Sequence, residues 1–530
     1  MKNLKLSITR SALWSAYGDI LGFPTELISE SQFVSKYGKN SAGSPLKWSR
    51  RVGGMFGPEI EFPSGTYSDD TQLRLSTSRA IRGDGYFDAE SFAKIELPVW
   101  LNYALGAGRG SKAAAANLAL KDTRWSQNFF TTPNSTYWNG GGNGAAMRIQ
   151  PHIWCGHGRS LSENIADVVR NAICTHGHPR GIIGAAIHAG FLHVMLNEKE
   201  TVRPDVWEPL GSDCASIAYE TLVNDEELSL VWVPYWERAS KIKLKDAWAE
   251  TISEWVEASQ YASKICLTNF AKEKKYFTIL NDLGGLSAEE RGSGLKTQLF
   301  ASVLAWLYKD EGPEAALRMA AKVFNSDTDS IATMAGALMG GVWHSDPEGP
   351  IQDENYIRAE AERLYNVGAG IQQPSFDYPN LLSWSPPKNQ SSALSSKEGR
   401  HMLMGLGDVE LFGESKTSTK GAKLIWQWGR LSFGQTVLTK RRDDSRASYK
   451  PERYDVYLET HVPQREFPTS ILSHAPSLSL NERTQACIKS KFDPRLIGEN
   501  ILELATGEDG IERCIAFAAI IAKAKIARES

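Results

Sequence analysis

The chain has 530 residues, 42% of them hydrophobic and 23% charged, with Lys plus Arg at 59, Asp plus Glu at 62 and a formal net charge of -3. That length exceeds a typical single small domain, so one large and one smaller unit are expected, with apolar residues enough for a sizeable core. The near balance of charge excludes a global pull toward nucleic acid or an anionic membrane and leaves any such binding to a local patch.

The opening MKNLKLSITR carries positive charge but no clean apolar run before Asp19, which argues against a signal peptide. From there to about residue 370 the pattern predicts helices. Ala-rich stretches recur at Lys112 to Leu120, Gly184 to Leu196, Glu314 to Phe324 and Ile331 to Val342, several with apolar residues at helical spacing. Gly and Pro gather between them, at Ser44 to Gly65 and Thr131 to Gly144. The composition shifts over about 202–286, where Trp207, Trp232, Trp236, Trp248 and Trp255 mix with Lys and Glu. This reads as a helical insertion whose tryptophans are core and rim residues, in preference to a stacking platform.

The Pro- and Ser-rich stretch 373–397 reads as a linker, so a domain over 1–372 is expected to give way to a separate unit over 398–530. In that unit Val409 to Phe412 and Leu424 to Trp428 look strand-like, and helical pattern returns from about Asp493. Lys440-Arg-Arg442, Arg446, Lys450 and Arg453 interleave with Tyr449, Tyr454 and Tyr457, a combination able to hold nucleic acid through phosphate contacts and stacking. Asp443, Asp444, Glu452 and Asp455 sit among them, which favours a solvated mixed-charge face. No stretch approaches the roughly 18 uninterrupted apolar residues of a membrane helix, so no membrane partner is expected. The six cysteines are scattered without a CxxC and read as reduced thiols of a cytoplasmic protein.

Two segments repeat one chemical theme. Ser68-Asp-Asp-Thr71 and Asp327-Thr-Asp-Ser330 each place acids and hydroxyls directly before a helix. One Ser or Asp suffices to cap a helix, so the surplus of hard oxygens suits Mg²⁺ or Mn²⁺ better than zinc. Four aspartates brought together would repel one another strongly, and a pair of divalent ions about 3.5–4 Å apart would resolve that repulsion. After the second segment, Ala332, Gly336 and Gly340 form a small-residue stripe that lets another backbone approach closely. Asn139-Gly-Gly-Gly-Asn-Gly144 exposes successive N–H groups to an anion, or is simply a flexible turn. His176, at a helix end, reads as a structural hydrogen-bonder in preference to a catalyst.

Taken together, Gly18-Asp-Ile-Leu-Gly-Phe-Pro-Thr-Glu26, Ser68-Asp-Asp-Thr71, Gly142-Asn-Gly-Ala-Ala-Met-Arg148, Thr175-His176 and Asp327-Thr-Asp-Ser330 resemble the ADP-ribosylglycohydrolase family, in the family's order and over roughly residues 10 to 345. The resemblance implies a mainly α protein, an orthogonally packed all-helical domain followed by a smaller mixed α+β C-terminal unit, and a binuclear Mg²⁺ centre. The metal ligands it implies are Ser68, Asp69, Asp70, Asp327, Asp329 and Ser330. Glu26 matches a mobile glutamate near the scissile bond, so Glu26, Asp69 and Asp70 become the catalytic candidates. Gly142, Asn143 and Gly144 match a loop around diphosphate and ribose, and His176 a histidine of the binding cleft. Ser68 and Ser330 stand where threonines are usual, and Asn325-Ser326 where two glycines are usual. The implied activity is hydrolysis of the glycosidic bond between ADP-ribose and a modified target, most simply an arginine-type protein side chain. Nucleic acid, a small metabolite, or a non-catalytic role in binding ADP-ribose or a toxin are the alternatives.

Overall fold

The computed structural model of the chain describes residues 2–26, 28–397, 399–419, 423–442, 478–506 and 510–529. Its packing divides into two compact units, Met1–Arg442 and Asp443–Ser530. The first is built mainly on helices α1 (Lys2–Gly22), α2 (Asp69–Ala80), α3 (Arg109–Leu118), α4 (Leu161–Ile173), α5 (Pro179–Glu198), α6 (Pro204–Asn224), α7 (Leu244–Cys266), α8 (Gly294–Leu307), α9 (Thr328–Val342) and α10 (Glu354–Gly368). Local chemistry sets several of their starts. Ser160 and Glu163 form a capping box at α4. Pro179 opens α5, where His178 Nδ1 accepts from the Arg180 N–H. Helix α5 is apolar on all sides because it runs through the core, against α4, α6, α8 and α9. By length and hydropathy it could cross a membrane, yet its apolar window is 83% buried inside the chain, the position of a core helix.

The tryptophan-rich stretch is the helical region holding α6 and α7, and its tryptophans are core residues. Trp207, Trp248 and Trp255 are buried and donate to the carbonyls of Val202, Ala215 and Glu208. Trp232 donates to the Tyr137 hydroxyl and Trp236 to the Gly177 carbonyl, bracing the segment next to His176.

Two β elements complete this unit. Strands β1 (Trp48–Arg51) and β2 (Glu59–Phe62) form a hairpin. Strands β3 (Leu394–Lys397), β4 (Arg400–Leu403), β5 (Gly407–Thr417), β6 (Leu424–Leu431) and β7 (Thr436–Arg442) form an antiparallel meander with β7 at one edge. Trp426 and Leu438 of this sheet join Phe23, Trp48, Ile60, Phe62 and Leu105 in one apolar cluster.

The first unit therefore continues to Arg442, past the boundary expected at 372. The stretch 373–397, expected as a linker, is a packed strap. Phe376 and Tyr378 pack against the main core, the Tyr378 hydroxyl donates to the buried Glu96 carboxylate at 2.6 Å, and Trp384 Nε1 donates to the Lys94 carbonyl. Its Pro- and Ser-rich composition obscured these aromatic anchors. Glu96 also pairs with the buried Arg79, which reaches Gln435 at 2.7 Å, and Asp353 accepts from the Thr436 N–H and hydroxyl.

The second unit holds α11 (Leu480–Lys489), α12 (Pro494–Leu504) and α13 (Gly510–Glu529) around Cys487, Phe492, Leu504, Phe517 and Ile521. Strands up to β7 and helices from α11 match the mixed α+β content expected after 398, split between the two units. Of the basic and aromatic stretch, Lys440 to Arg442 lie on β7, whereas the residues from Asp443 to Tyr457 lie outside the described residues.

Candidate active site

Helices α1 and α9 meet backbone to backbone. A Cβ on Gly18 would stand 2.3 Å from the Ala332 carbonyl oxygen, and one on Gly22 2.4 Å from Asp329 Cα. From the other side, a Cβ on Gly336 would stand 2.2 Å from the Trp14 carbonyl oxygen and one on Gly340 2.6 Å from that of Arg10. Real side chains do not tolerate such distances, so the small-residue stripe reflects a requirement of packing. The consequence is positional. The N-terminus of α9, with Asp329 and Ser330, is held against the C-terminal end of α1, where the Thr328 hydroxyl donates to the Gly22 carbonyl at 2.8 Å.

Asp19, buried one residue after Gly18, organises the other aspartate segment. Its carboxylate accepts from the Ser68 N–H at 2.8 Å, the Thr71 N–H at 2.9 Å and the Thr71 hydroxyl at 2.6 Å. Arg74 donates to Thr71 Oγ1 and to Thr333 Oγ1, tying α2 to α9. Ser68 caps α2 by accepting from the Asp70 N–H, and the Asp69 N–H donates to the Leu105 carbonyl at 2.8 Å. The two segments then touch: Ser330 Oγ and Ser68 Oγ each lie 3.4 Å from Asp70 Oδ2.

The electrostatics follow from burial of like charges. Asp69, Asp70 and Asp329 have carboxyl pKa values well above the ordinary range, first through desolvation and then through neighbouring carboxylates. For Asp69 and Asp329 the leading neighbour is Glu26; for Asp70 it is Asp19. Glu26 is pushed up to about 7 by burial and by Asp327, against the pull of Arg50, whose guanidinium lies 3.6 Å away on the β1–β2 hairpin. Asp70 Oδ1 is buried with no hydrogen-bond partner, and the buried Glu26 Oε2 has only the ion pair to Arg50 at 3.6 Å. Such groups are costly unless something compensates them.

Among the described residues, no three His, Cys, Asp or Glu side chains converge tightly enough to form a ready metal cage. The donor chemistry nevertheless fits a hard cation: carboxylate and hydroxyl oxygens only, mutually repelling, with one oxygen of Asp70 left orphaned.

The glycine-rich loop borders this cluster. Asn143 Nδ2 donates to Asp327 Oδ2 at 3.0 Å and to Thr297 Oγ1 at 3.2 Å, and its N–H donates to the Gly292 carbonyl. Gly142 bridges to Ser293. His176 lies beneath the loop: a Cβ on Gly144 would stand 3.0 Å from its Cε1 and 2.7 Å from Ser111 Oγ, so a larger residue there would displace one of these side chains. The imidazole is paired through Nδ1 with Thr175 Oγ1 at 2.7 Å, and burial lowers its pKa to about 3, keeping it neutral. Asn325 takes φ 70, the left-handed region in which asparagine substitutes for glycine more readily than most residues do.

All the residues singled out in the sequence thus face or flank one region: Ser68, Asp69, Asp70, Asp327, Asp329 and Ser330 around the acidic cluster, Glu26 beside it, and Gly142, Asn143, Gly144 and His176 along one wall. Sequence reasoning assigned no role to Asp19, although it is the one charge between Arg10 and Glu26, in a segment rich in apolar residues, and that was a usable signal. Arg50 and Thr297 carried no such signal.

The profile of the ADP-ribosylglycohydrolase family matches residues 5–366. Among solved structures, one described as an "ADP-ribosylglycohydrolase-related protein complex" is 16% identical, covers 69% of this chain and 100% of its own, and superposes with a TM-score of 0.40. No curated protein matches the chain. With the family profile spanning more than half of its length, the chain belongs to the ADP-ribosylglycohydrolases, enzymes that hydrolyse glycosidic bonds to ADP-ribose.

Proposed function

We propose that this hydrolase depends on divalent cations and releases ADP-ribose from a modified protein side chain of the arginine type. The observation that carries this reading is the buried meeting of two aspartate segments, with Ser330 Oγ 3.4 Å from Asp70 Oδ2 and Asp70 Oδ1 left without a partner. Ser68, Asp69, Asp70, Asp327, Asp329 and Ser330 would hold two Mg²⁺ ions, with Mn²⁺ an acceptable substitute. Bound there, the cations would supply Lewis-acid charge to an attacking water and to the ribose hydroxyls.

The chain's own residues account for the rest. Glu26, with a pKa near 7, is a stronger base than an ordinary carboxylate and accepts the water's proton, with Asp69 and Asp70 beside it as the other candidates. The ring of carboxylates stabilises positive charge developing at the anomeric carbon and suits a cationic guanidinium leaving group. Backbone N–H groups of Gly142 to Gly144 suit the diphosphate, and neutral His176 holds the loop's shape without adding charge to the cleft. A non-catalytic binder would have no use for carboxylates buried at such electrostatic cost. The test is hydrolysis of arginine-, serine- and nucleotide-linked ADP-ribose side by side. Preferential release from arginine supports the reading, and preference for another linkage overturns the assignment of the target.

A further inference from the structure

The strands of the β1–β2 hairpin keep their charges on one face, with a single exception. Register pairs Trp48 with Phe62 and Arg50 with Ile60, so these four side chains share a face, and Ser49, Arg51, Glu59 and Glu61 take the other. Trp48, Ile60 and Phe62 are buried in the apolar cluster with Phe23 and Leu105, whereas Arg51, Glu59 and Glu61 are exposed. Arg50 is therefore a cation on the apolar face. Its guanidinium carbon stands 5.7 Å from the centre of the Phe23 ring, and its Nη1 lies 3.6 Å from Glu26 Oε2.

The hairpin is fixed on several sides. Phe23 meets the Trp48 ring edge-on at 4.9 Å, and Phe62 meets Trp428 edge-on at 6.0 Å. At the turn, a Cβ on Gly53 would stand 2.4 Å from the Trp426 ring, and the Phe56 carbonyl accepts from the Thr419 N–H at 2.9 Å. The sheet β3–β7, which lies beyond the family-matched residues, thus holds the strand that carries Arg50.

The backbone at Glu26 is fixed as well. Its N–H donates to the Gly22 carbonyl at 3.1 Å, and the neighbouring Thr25 hydroxyl donates to the same carbonyl at 2.9 Å and lies 3.2 Å from that of Thr328. The carboxylate has less to hold it. Oε2 is buried without a hydrogen bond, and among the described residues Arg50 is the one cation in ion-pair contact with it. The pair contributes little to folding, because Arg50 is 36% exposed and ion pairs open to water are weak. A general base, by contrast, gains rate from orientation: a misplacement of about 1 Å can cost about 100-fold.

We propose that Arg50 is a positioning residue, whose guanidinium holds the Glu26 carboxylate at the edge of the acidic cluster in the orientation that accepts the water's proton. This inference rests on the reading of Glu26 as the base. Arg50 acts through Glu26 and does not itself contact the reacting atoms.

The test is a double-mutant cycle in the full chain: wild type, Arg50→Gln, Glu26→Gln and the double variant. Rates are measured on whichever of arginine-, serine- and nucleotide-linked ADP-ribose is cleaved, and melting temperatures on all four proteins. Glu26→Gln should lower kcat about 100-fold or more, the range of a lost general base. Arg50→Gln should lower kcat about tenfold with KM changed less than about twofold. In the Glu26→Gln background the same substitution should change kcat less than about twofold. Wild-type kcat in Arg50→Gln, a loss of equal size in both backgrounds, or a lowered KM without loss of kcat overturns the inference while the reading of Glu26 stands. Wild-type kcat in Glu26→Gln overturns that reading, and the inference with it. The melting temperatures need no turnover: Arg50→Gln should shift them less in the Glu26→Gln background than in wild type. Equal shifts show that the two side chains do not interact in solution, and overturn the inference whatever the rates.

Discussion

The hydroxyl of Ser330 lies 3.4 Å from Oδ2 of Asp70, a residue 260 positions earlier in the chain. That contact depends on two separate devices. The glycines of α1 and α9 set the height of Ser330, and the buried carboxylate of Asp19 fixes the loop that carries Asp70. Each device can be perturbed without touching a proposed metal ligand.

Replacing Asp19 with Asn turns one acceptor oxygen into a donor that faces the N–H groups of Ser68 or Thr71. The expected loss is about 1–3 kcal/mol of stability, the scale of a buried polar group left unmatched. Activity should fall at least about tenfold as Ser68 to Thr71 loses its hold, on the pattern of residues that orient ligands. Thermal melting and initial rates check both, and a variant with wild-type values would remove Asp19 from the account.

Gly22→Ala places a methyl 2.4 Å from Asp329 Cα, so one of the two helices must move. Overpacking of this kind costs about 1–3 kcal/mol, and the displacement should also weaken cation binding. Gly498→Ala is the control. It lies in α12, where a Cβ meets nothing within 4 Å, and it should be neutral or slightly stabilising. Equal melting temperatures for the two variants would contradict the close α1–α9 packing.

Much of the site was legible because its chemistry is local in sequence. Asp-hydroxyl segments before helices, a glycine run and the Ala332–Gly336–Gly340 stripe can each be read without a partner. What joins them is not local. Asp19 showed only as a lone acid in the first helix, and its three hydrogen bonds reach residues about fifty positions away. Arg50 owes its place beside Glu26 to a hairpin that the sheet packs against. The boundary expected at 372 failed for a related reason. Composition at 373–397 is dominated by prolines and serines, whereas attachment depends on Phe376, Tyr378 and Trp384, and the hydrogen-bond partners of the last two lie some 280–290 residues earlier.

A truncation ending at residue 372 should therefore not yield a stable hydrolase. It would remove Tyr378 and Gln435 from the buried Arg79–Glu96 pair, Thr436 from Asp353, and Trp426 and Leu438 from the cluster around Phe23. Insolubility or a steep loss of melting temperature is expected, whereas a truncation ending at Arg442 should stay folded. Wild-type stability in the shorter form would restore the earlier boundary.

The acidic cluster also predicts how stability depends on pH. Glu26, Asp69, Asp70 and Asp329 have folded pKa values above their unfolded ones, so the stability tied to their protons is present at low pH and is lost as pH rises through the folded values. For Glu26 that loss runs from its unfolded value of 4.5 up to about 7, where it is complete, at up to about 1.4 kcal/mol per pH unit for one group. The buried neutral histidines, His176 among them, act only below their unfolded value of 6.5, where acid destabilises the fold. Between pH 6.5 and 8 the carboxylates should therefore dominate. Melting temperature in a chelator should fall across that window, and saturating Mg²⁺ should flatten the fall by replacing protons as the compensating charge. Parallel profiles with and without the cation would contradict the fit of this site to a metal.

The most direct measurement is the initial rate of ADP-ribose release from an arginine-linked substrate in a chelator and after Mg²⁺ is restored, for the wild type and for Asp70→Asn and Asp329→Asn. The account predicts no turnover above background in the chelator, full recovery of the wild type with Mg²⁺, and variants that fold but remain ~100-fold or more below it. A wild-type rate undiminished by the chelator, or either variant matching it, would contradict the account.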